Sequence, residues 1–220
     1  MTTTAVAENF QSTQLFFATE AGEASFDDLG VPGIGDAGKK NLLDGNENFD
    51  GGITNAAQVT GYFLRLNGDR DAMRALLVDK CGCHAASVDK ETSGTLDSLA
   101  LKCEGFISPE ADESAPAEAA AGTTKVMAAF QSKQMSWTDT FDSNPVPGLG
   151  AVGRVKLKEQ DGLQNAVQLV GLYMAVNGDE DEFTERLLEC GLRNQDITAE
   201  NKILHAIREK LATFCSPVMS

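Results

Sequence analysis

The chain has 220 residues, 42% of them hydrophobic and 23% charged, an ordinary globular composition with room for one large or two small domains. No apolar run approaches a membrane span, and Met1 to Ala7 lack the basic-then-apolar order of a secretory signal. A formal net charge of -15 excludes long-range attraction to polyanions, so contact with nucleic acid requires a local basic patch.

In chain order, residues 1–9 read as a tail whose only charge is Glu8, which argues against an organelle transit sequence. Phe10-Gln11-Ser12-Thr13-Gln14 opens a segment that recurs from Phe130-Gln131-Ser132-Lys133-Gln134. The hairpin Val31-Pro32-Gly33-Ile34-Gly35-Asp36-Ala37-Gly38 then matches Val146-Pro147-Gly148-Leu149-Gly150-Ala151-Val152-Gly153. Gly52 to Gly61 matches Gly162 to Gly171, Asn67-Gly68-Asp69 matches Asn177-Gly178-Asp179, and Cys81-Gly82 roughly matches Cys190-Gly191. So many matches in one order define two repeats, residues 10–107 and 130–216. Between them residues 108–129 form an acidic Ala/Glu/Pro linker, and 217–220 are a C-terminal tail.

The apolar spacing within each repeat is helical. Leu163, Val167, Val170 and Met174 fall on one face, as do Ile203, Ile207, Leu211 and Phe214. Each Asn-Gly-Asp predicts a left-handed helix stop followed by an Asp N-cap. No period-two pattern competes, so the chain is expected to be all-α: two repeated five-helix SAM-like domains, each with a helix-hairpin-helix motif.

V-P-G-I/L-G-x-x-G is the sequence form of such a hairpin. Its glycines let backbone N–H groups at the start of the second helix approach a phosphate oxygen, which positions a duplex without reading its bases. The candidate phosphate-binding residues are Gly33, Ile34, Gly35, Gly38, Lys39 and Lys40 in the first repeat. In the second they are Gly148, Leu149, Gly150, Gly153, Arg154 and Lys156, with Lys158 nearby. The basic residues beyond each last glycine are the densest positive clusters in the chain. An equally simple reading makes Val-Pro-Gly-Ile a tight turn whose Ile or Leu fills the core.

The order Gly-Ile-Gly-x-x-Gly-Lys-Lys-x-Leu from Gly33, then Ala56-x-x-Val59-x-Gly61-x-Phe63-Leu64-x-Leu66-x-x-Asp69-x-Asp71, then Leu76-Leu77-x-Asp79-Lys80-Cys81-Gly82, resembles barrier-to-autointegration factor. The resemblance covers most of residues 10–107, and again 130–215. It implies a small all-α unit that binds double-stranded DNA without sequence preference, bridges two duplexes as a dimer and recruits LEM-domain proteins of the nuclear envelope. Carried over by position, it assigns DNA contact to Gly33, Ile34, Gly35 and Lys39 or Lys40, and to Gly148, Leu149, Gly150 and Arg154. Two fused copies would make a covalent pseudo-dimer in place of the homodimer. The departures are an N-terminal segment, Thr2 to Glu8, without Lys or Arg, no basic residue in Ala85 to Val88, and a single tryptophan, Trp137.

Five cysteines, Cys81, Cys83, Cys103, Cys190 and Cys215, form an odd set that suits a reducing intracellular setting, nucleus or cytoplasm, better than a disulfide framework. Cys81-Gly82-Cys83-His84 lacks the second ligand pair of a zinc site, and Asp44 to Asp50 lacks the glycine and glutamate of a calcium loop. No metal or cofactor is expected. His84 and His205 stand apart from any nucleophile motif, so an enzyme is not expected either. Two functions remain: non-sequence-specific DNA binding or bridging through the hairpins, and an acidic structural scaffold that keeps the fold for protein contacts alone.

Overall fold

A computed structural model describes residues 31–44, 52–91, 94–104, 107–108 and 125–215 of the chain. The described residues are mostly helical. From the first repeat come α1 (Asp36–Asp44), α2 (Ala56–Arg65), α3 (Arg70–Arg74), α4 (Ala85–Val88) and α5 (Thr95–Glu104). A further helix, α6 (Lys125–Ser132), precedes α7 (Ala151–Asp161), α8 (Ala166–Ala175), α9 (Glu180–Glu189), α10 (Asn194–Thr198) and α11 (Ile203–Cys215). Thus α1 to α5 have counterparts in the same order in α7 to α11. Among the described residues no helix is long and apolar enough to cross a membrane.

Local chemistry explains most boundaries. Asn55 and Asn165 cap α2 and α8 by accepting from the backbone N–H of Gln58 and Gln168. Both helices end at an asparagine and a glycine in the left-handed region, Asn67 (φ 56°) and Gly68 (φ 73°), Asn177 (φ 57°) and Gly178 (φ 72°). Asp69 and Asp179 then cap α3 and α9, as the Asn-Gly-Asp signal predicts. Helix α3 runs on as a π-helical turn, Ala75–Lys80, where α9 is regular. The cause is one extra residue: twelve positions separate Asp69 from Cys81 and eleven separate Asp179 from Cys190. A π turn absorbs a single insertion without ending the helix, so Leu77 and Leu187 both stay fully buried.

The centre of the molecule is the contact between α2 and α8. All ten residues of α8 are buried, and Leu163 lies before the helix begins, so the single apolar face expected there becomes burial on every side. The second covering face is α2 of the other repeat. Gly61 and Gly171 meet at the crossing: a Cβ on Gly61 would lie 2.5 Å from Ala175 N and 2.8 Å from Gly171 O. One on Gly171 would lie 2.7 Å from Gly61 O and collide with Arg65 N. Only glycine allows two backbones to approach this closely.

Around the crossing the polar contacts are reciprocal. Gln58 Nε2 donates to Ala175 O (3.2 Å) and Gln168 Nε2 to Arg65 O (3.0 Å). Asn55 Nδ2 donates to Asn177 Oδ1 (2.6 Å), while Asn165 Nδ2 donates to Asn67 Oδ1 (2.8 Å). Each N-cap asparagine therefore also binds the left-handed asparagine of the other repeat. Buried amides of this kind stabilise only while paired, so both pairs fix register as well as contact.

Among the described residues, other ties join the repeats on one side only. Arg65 forms an ion pair with Asp161 at 2.6 Å. Asn67 Nδ2 donates to Trp137 O (3.1 Å), and the Trp137 indole stands edge-on to Phe63 with ring centres 5.9 Å apart. A short parallel strand pair, β1 (Ile107–Ser108) and β2 (Met135–Ser136), departs from the wholly helical expectation. Helix α6 crosses the boundary at 129/130 expected from the repeat match, with Met127, Ala128 and Phe130 in the core.

Lys210 is the least expected core residue, 1% exposed on α11. Its ammonium donates to Phe130 O (2.8 Å), Gln131 O (3.0 Å) and Lys133 O, closing the end of α6 where backbone carbonyls have no helical donor. Burial lowers its pKa to about 8, opposed by Asp139. Because the folded value lies below the unfolded 10.5, the cost of burying the charge is present below pH 8 and relieved as pH rises towards 10.5. The stability of the native chain relative to Lys210→Met is expected to rise by about 3 kcal/mol across that window. Urea titrations of both proteins at pH 7.5 and 10.5 measure the change, and a constant difference would contradict it.

Candidate nucleic-acid interface

Each hairpin begins as a tight turn. Pro32 and Pro147 set φ at the second position, Gly33 (φ 84°) and Gly148 (φ 85°) supply the left-handed third, and Ile34 N and Leu149 N close back on Val31 O (3.2 Å) and Val146 O (3.1 Å). Ile34 and Leu149 are buried, so their side chains fill the core and only their backbone is available to a ligand. A Cβ on Gly33 would lie 2.5 Å from Ser87 O, and one on Gly148 2.6 Å from Asp196 O. The turn is thus seated against α4 and α10 by close backbone contact.

The remaining glycines divide by cause. Gly38 and Gly153 face side chains, Cys83 Sγ at 2.8 Å and Leu149 Cδ1 at 2.9 Å from the Cβ each lacks. Gly35 and Gly150 are exposed, have no positive φ and have nothing within 4 Å of that position. Neither turn geometry nor packing demands glycine there. Both precede a helix: Lys39 N bonds to Gly35 O (2.9 Å) and Arg154 N to Gly150 O (3.1 Å), so the amides of 36–38 and 151–153 begin each helix without an intrahelical acceptor. Gly150 is the N-cap of α7 and provides no side-chain cap.

Side chains make the two hairpins unequal. Asp36 occupies the first turn of α1, where its carboxylate takes the favourable place at the positive end of the helix dipole. The corresponding residue of α7 is Ala151. Lys39 is half-buried and Lys40 exposed, and among the described residues neither forms an ion pair.

The second hairpin opens on a groove of about 530 Å³ between residues 148–153 and the turn Gly191–Arg193. Gly148, Leu149, Gly150, Gly153 and Lys156 line it, and Lys156 Nζ donates to Gly191 O at 2.6 Å. Arg154 does not. Its guanidinium pairs with Asp142, and its Nε donates to Leu149 O (3.3 Å). Lys158 is exposed farther along α7.

Arg193 completes the groove and was not among the residues singled out by motif. It is the N-cap of α10, mostly exposed, and pairs with Asp196 at 2.7 Å. The usable signal was the Cys81-Gly82 and Cys190-Gly191 match, which places Arg193 opposite His84, the N-cap of α4. The same match sets Ala85 to Val88 opposite Asn194 to Ile197, which also lack Lys and Arg, so Arg193 is a cation outside the positions that the resemblance assigns.

Four of the five cysteines are core residues. Cys81, Cys83, Cys103 and Cys190 are buried free thiols, and burial pushes all four upward, Cys81 to about 12. Among the described residues no three His, Cys, Asp or Glu groups gather as a metal site. His84 is exposed and His205 half-buried on α11. The Asp44 to Asp50 segment lies outside the described residues beyond Asp44, as does the side chain of Phe214.

Comparison with family models, with curated proteins and with solved structures gives no match. The division among the glycines can be tested by stability. Gly35→Ala and Gly150→Ala are expected to cost less than about 1 kcal/mol, the difference between glycine and alanine at the start of a helix. Gly148→Ala is expected to cost about 1–3 kcal/mol, since it meets both a left-handed backbone and the Asp196 carbonyl. Denaturant titration of the three variants checks this, and equal losses would show that the middle glycines are structural after all.

Proposed function

We propose that the chain is a fused pair of barrier-to-autointegration-factor-like units, each a five-helix SAM-like domain with a helix-hairpin-helix, and that it binds duplex DNA through phosphates without sequence preference. The pair acts as an internal pseudo-dimer in the nucleus or on chromatin. Binding runs chiefly through the second hairpin. One observation carries this reading: Gly150 stands with open space beside it at the N-terminus of an eleven-residue helix, facing a groove that holds Lys156 and Arg193.

Helix N–H groups and two cations suit one phosphate oxygen cluster, and such contacts are made without base readout. The first hairpin is the weaker partner because Asp36 repels an anion at the same point. Bridging of two duplexes therefore recedes behind one-sided binding. Overall charge works against association at long range, which predicts weak affinity that appears only at low salt.

The rival is an acidic scaffold that uses this fold for protein contacts alone, favoured by the -15 charge and by Asp36. Fluorescence anisotropy of a labelled duplex, titrated at about 20 mM and about 150 mM salt, separates them. DNA binding predicts a salt-dependent isotherm that Lys156→Glu with Arg193→Glu abolishes. Lys156→Gln or Arg193→Gln alone should weaken binding and flatten the log–log salt slope by about one. No isotherm at low salt, or one unchanged by the double substitution, would favour the scaffold.

A further inference from the structure

The cations around the second hairpin are not equally accessible. The Arg193 side chain stays 72% exposed beside Asp196, and Lys156 lines the groove. Arg154 is different. Its backbone N–H closes the first turn of α7 on Gly150 O, and helical side chains lean towards the N-terminus, so its guanidinium lies back over the hairpin, with Nε donating to Leu149 O (3.3 Å). There the Asp142 carboxylate pairs with it, and the Arg154 side chain is only 27% exposed. The solvent-facing member of the pair is Asp142, at 88%.

The turn that carries Asp142 is tied down. Asp139, buried at its start, accepts from Ser136 N (3.0 Å) and Asn144 Nδ2 (3.1 Å). Thr140 Oγ1 accepts from the N–H groups of Asp142 (3.3 Å) and Ser143 (3.2 Å), and Lys133 Nζ donates to Ser143 O (3.0 Å). The backbone of Asp142 is thereby fixed next to the hairpin, with its carboxylate directed at Arg154. Resting on the reading that this hairpin binds phosphates, we propose that Asp142 is an internal competitor for Arg154. Its carboxylate occupies the guanidinium in place of a DNA phosphate and keeps a third cation out of the interface.

A carboxylate tethered in the same chain competes at high effective concentration, which favours it over a phosphate arriving from solution. An exposed pair is nevertheless weak and screened by salt, so removing its negative member frees the cation without repacking the core. The first hairpin meets an internal anion by another route, because Asp36 belongs to the first turn of α1 itself. In the second hairpin the anion stands on a preceding turn, outside the helix that would receive the phosphate.

A cycle of Asp142→Asn and Arg154→Gln in the full chain tests this, read by anisotropy of a labelled duplex from about 20 mM salt upward. Loss of one negative charge is common to both backgrounds, so any excess gain with Arg154 present reports the freed guanidinium on a phosphate. Asp142→Asn is expected to tighten binding at least about threefold more in the native background than in the Arg154→Gln background. It should also steepen the log–log salt slope by about one, and only where Arg154 is present. Equal gains in both backgrounds, or a slope that Asp142→Asn leaves unchanged, would overturn the competition while binding by the native chain still stood. Binding by no variant at low salt would end the phosphate-binding reading and this proposal with it. Asp142→Ser removes the same charge and repeats the cycle, so that one misfolded variant does not decide the outcome.

Discussion

Two backbones touching at Gly61 and Gly171 set the geometry of the described residues. Any side chain at either position would hold α2 and α8 apart, and separation would strand Gln58, Gln168, Asn55 and Asn165 from their partners across the crossing. An unpaired buried amide costs about 1–3 kcal/mol, so the four act with the glycines as one cooperative unit. Close approach creates the hydrogen bonds, and the hydrogen bonds specify the register of the approach. The result is that α8 can be apolar on every face without exposing one, and neither repeat can be described without the other.

Duplication then becomes a source of inequality. The two hairpins share the same turn, equivalent seats against α4 and α10 and the same open middle glycine, so the backbone amides they offer are the same. What differs is a handful of side chains: Asp36 against Ala151, His84 against Arg193, Asn41 against Lys156. Under the proposed phosphate binding, with a net charge of -15 opposing any polyanion, such local differences decide between the two hairpins. A fused pair is free to diverge in this way, whereas the identical chains of a homodimer must change both sites together.

Features set by neighbouring residues were legible in the sequence. The Asn-Gly-Asp stops and caps, the Val-Pro-Gly turns, the buried Ile34 and Leu149 and the helical class all follow from residues within one turn of each other. Features set by distant partners were not. Gly61 and Gly171 stood in the repeat match, but nothing local says that they face each other. The double role of Asn55 and Asn165, as caps and as cross-repeat donors, needs the two repeats in contact. Lys210 reads as a charged position on an amphipathic helix, and only the end of α6 above it explains its burial. The π turn was visible as an imperfect match at Cys81-Gly82, a one-residue offset whose meaning required the helix on either side. Arg193 escaped because it borders the groove from a separate turn, outside the hairpin motif.

Double-mutant cycles across the crossing test the reciprocal interface most directly. Asn55→Ala paired with Asn177→Ala, and Asn165→Ala paired with Asn67→Ala, give two coupling energies by denaturant titration of the intact chain. Reciprocal pairing predicts about 1 kcal/mol of favourable coupling in each cycle, with similar values for the two. Strict additivity in both cycles would mean that the repeats do not meet through these helices, and the reciprocal interface would fall with it.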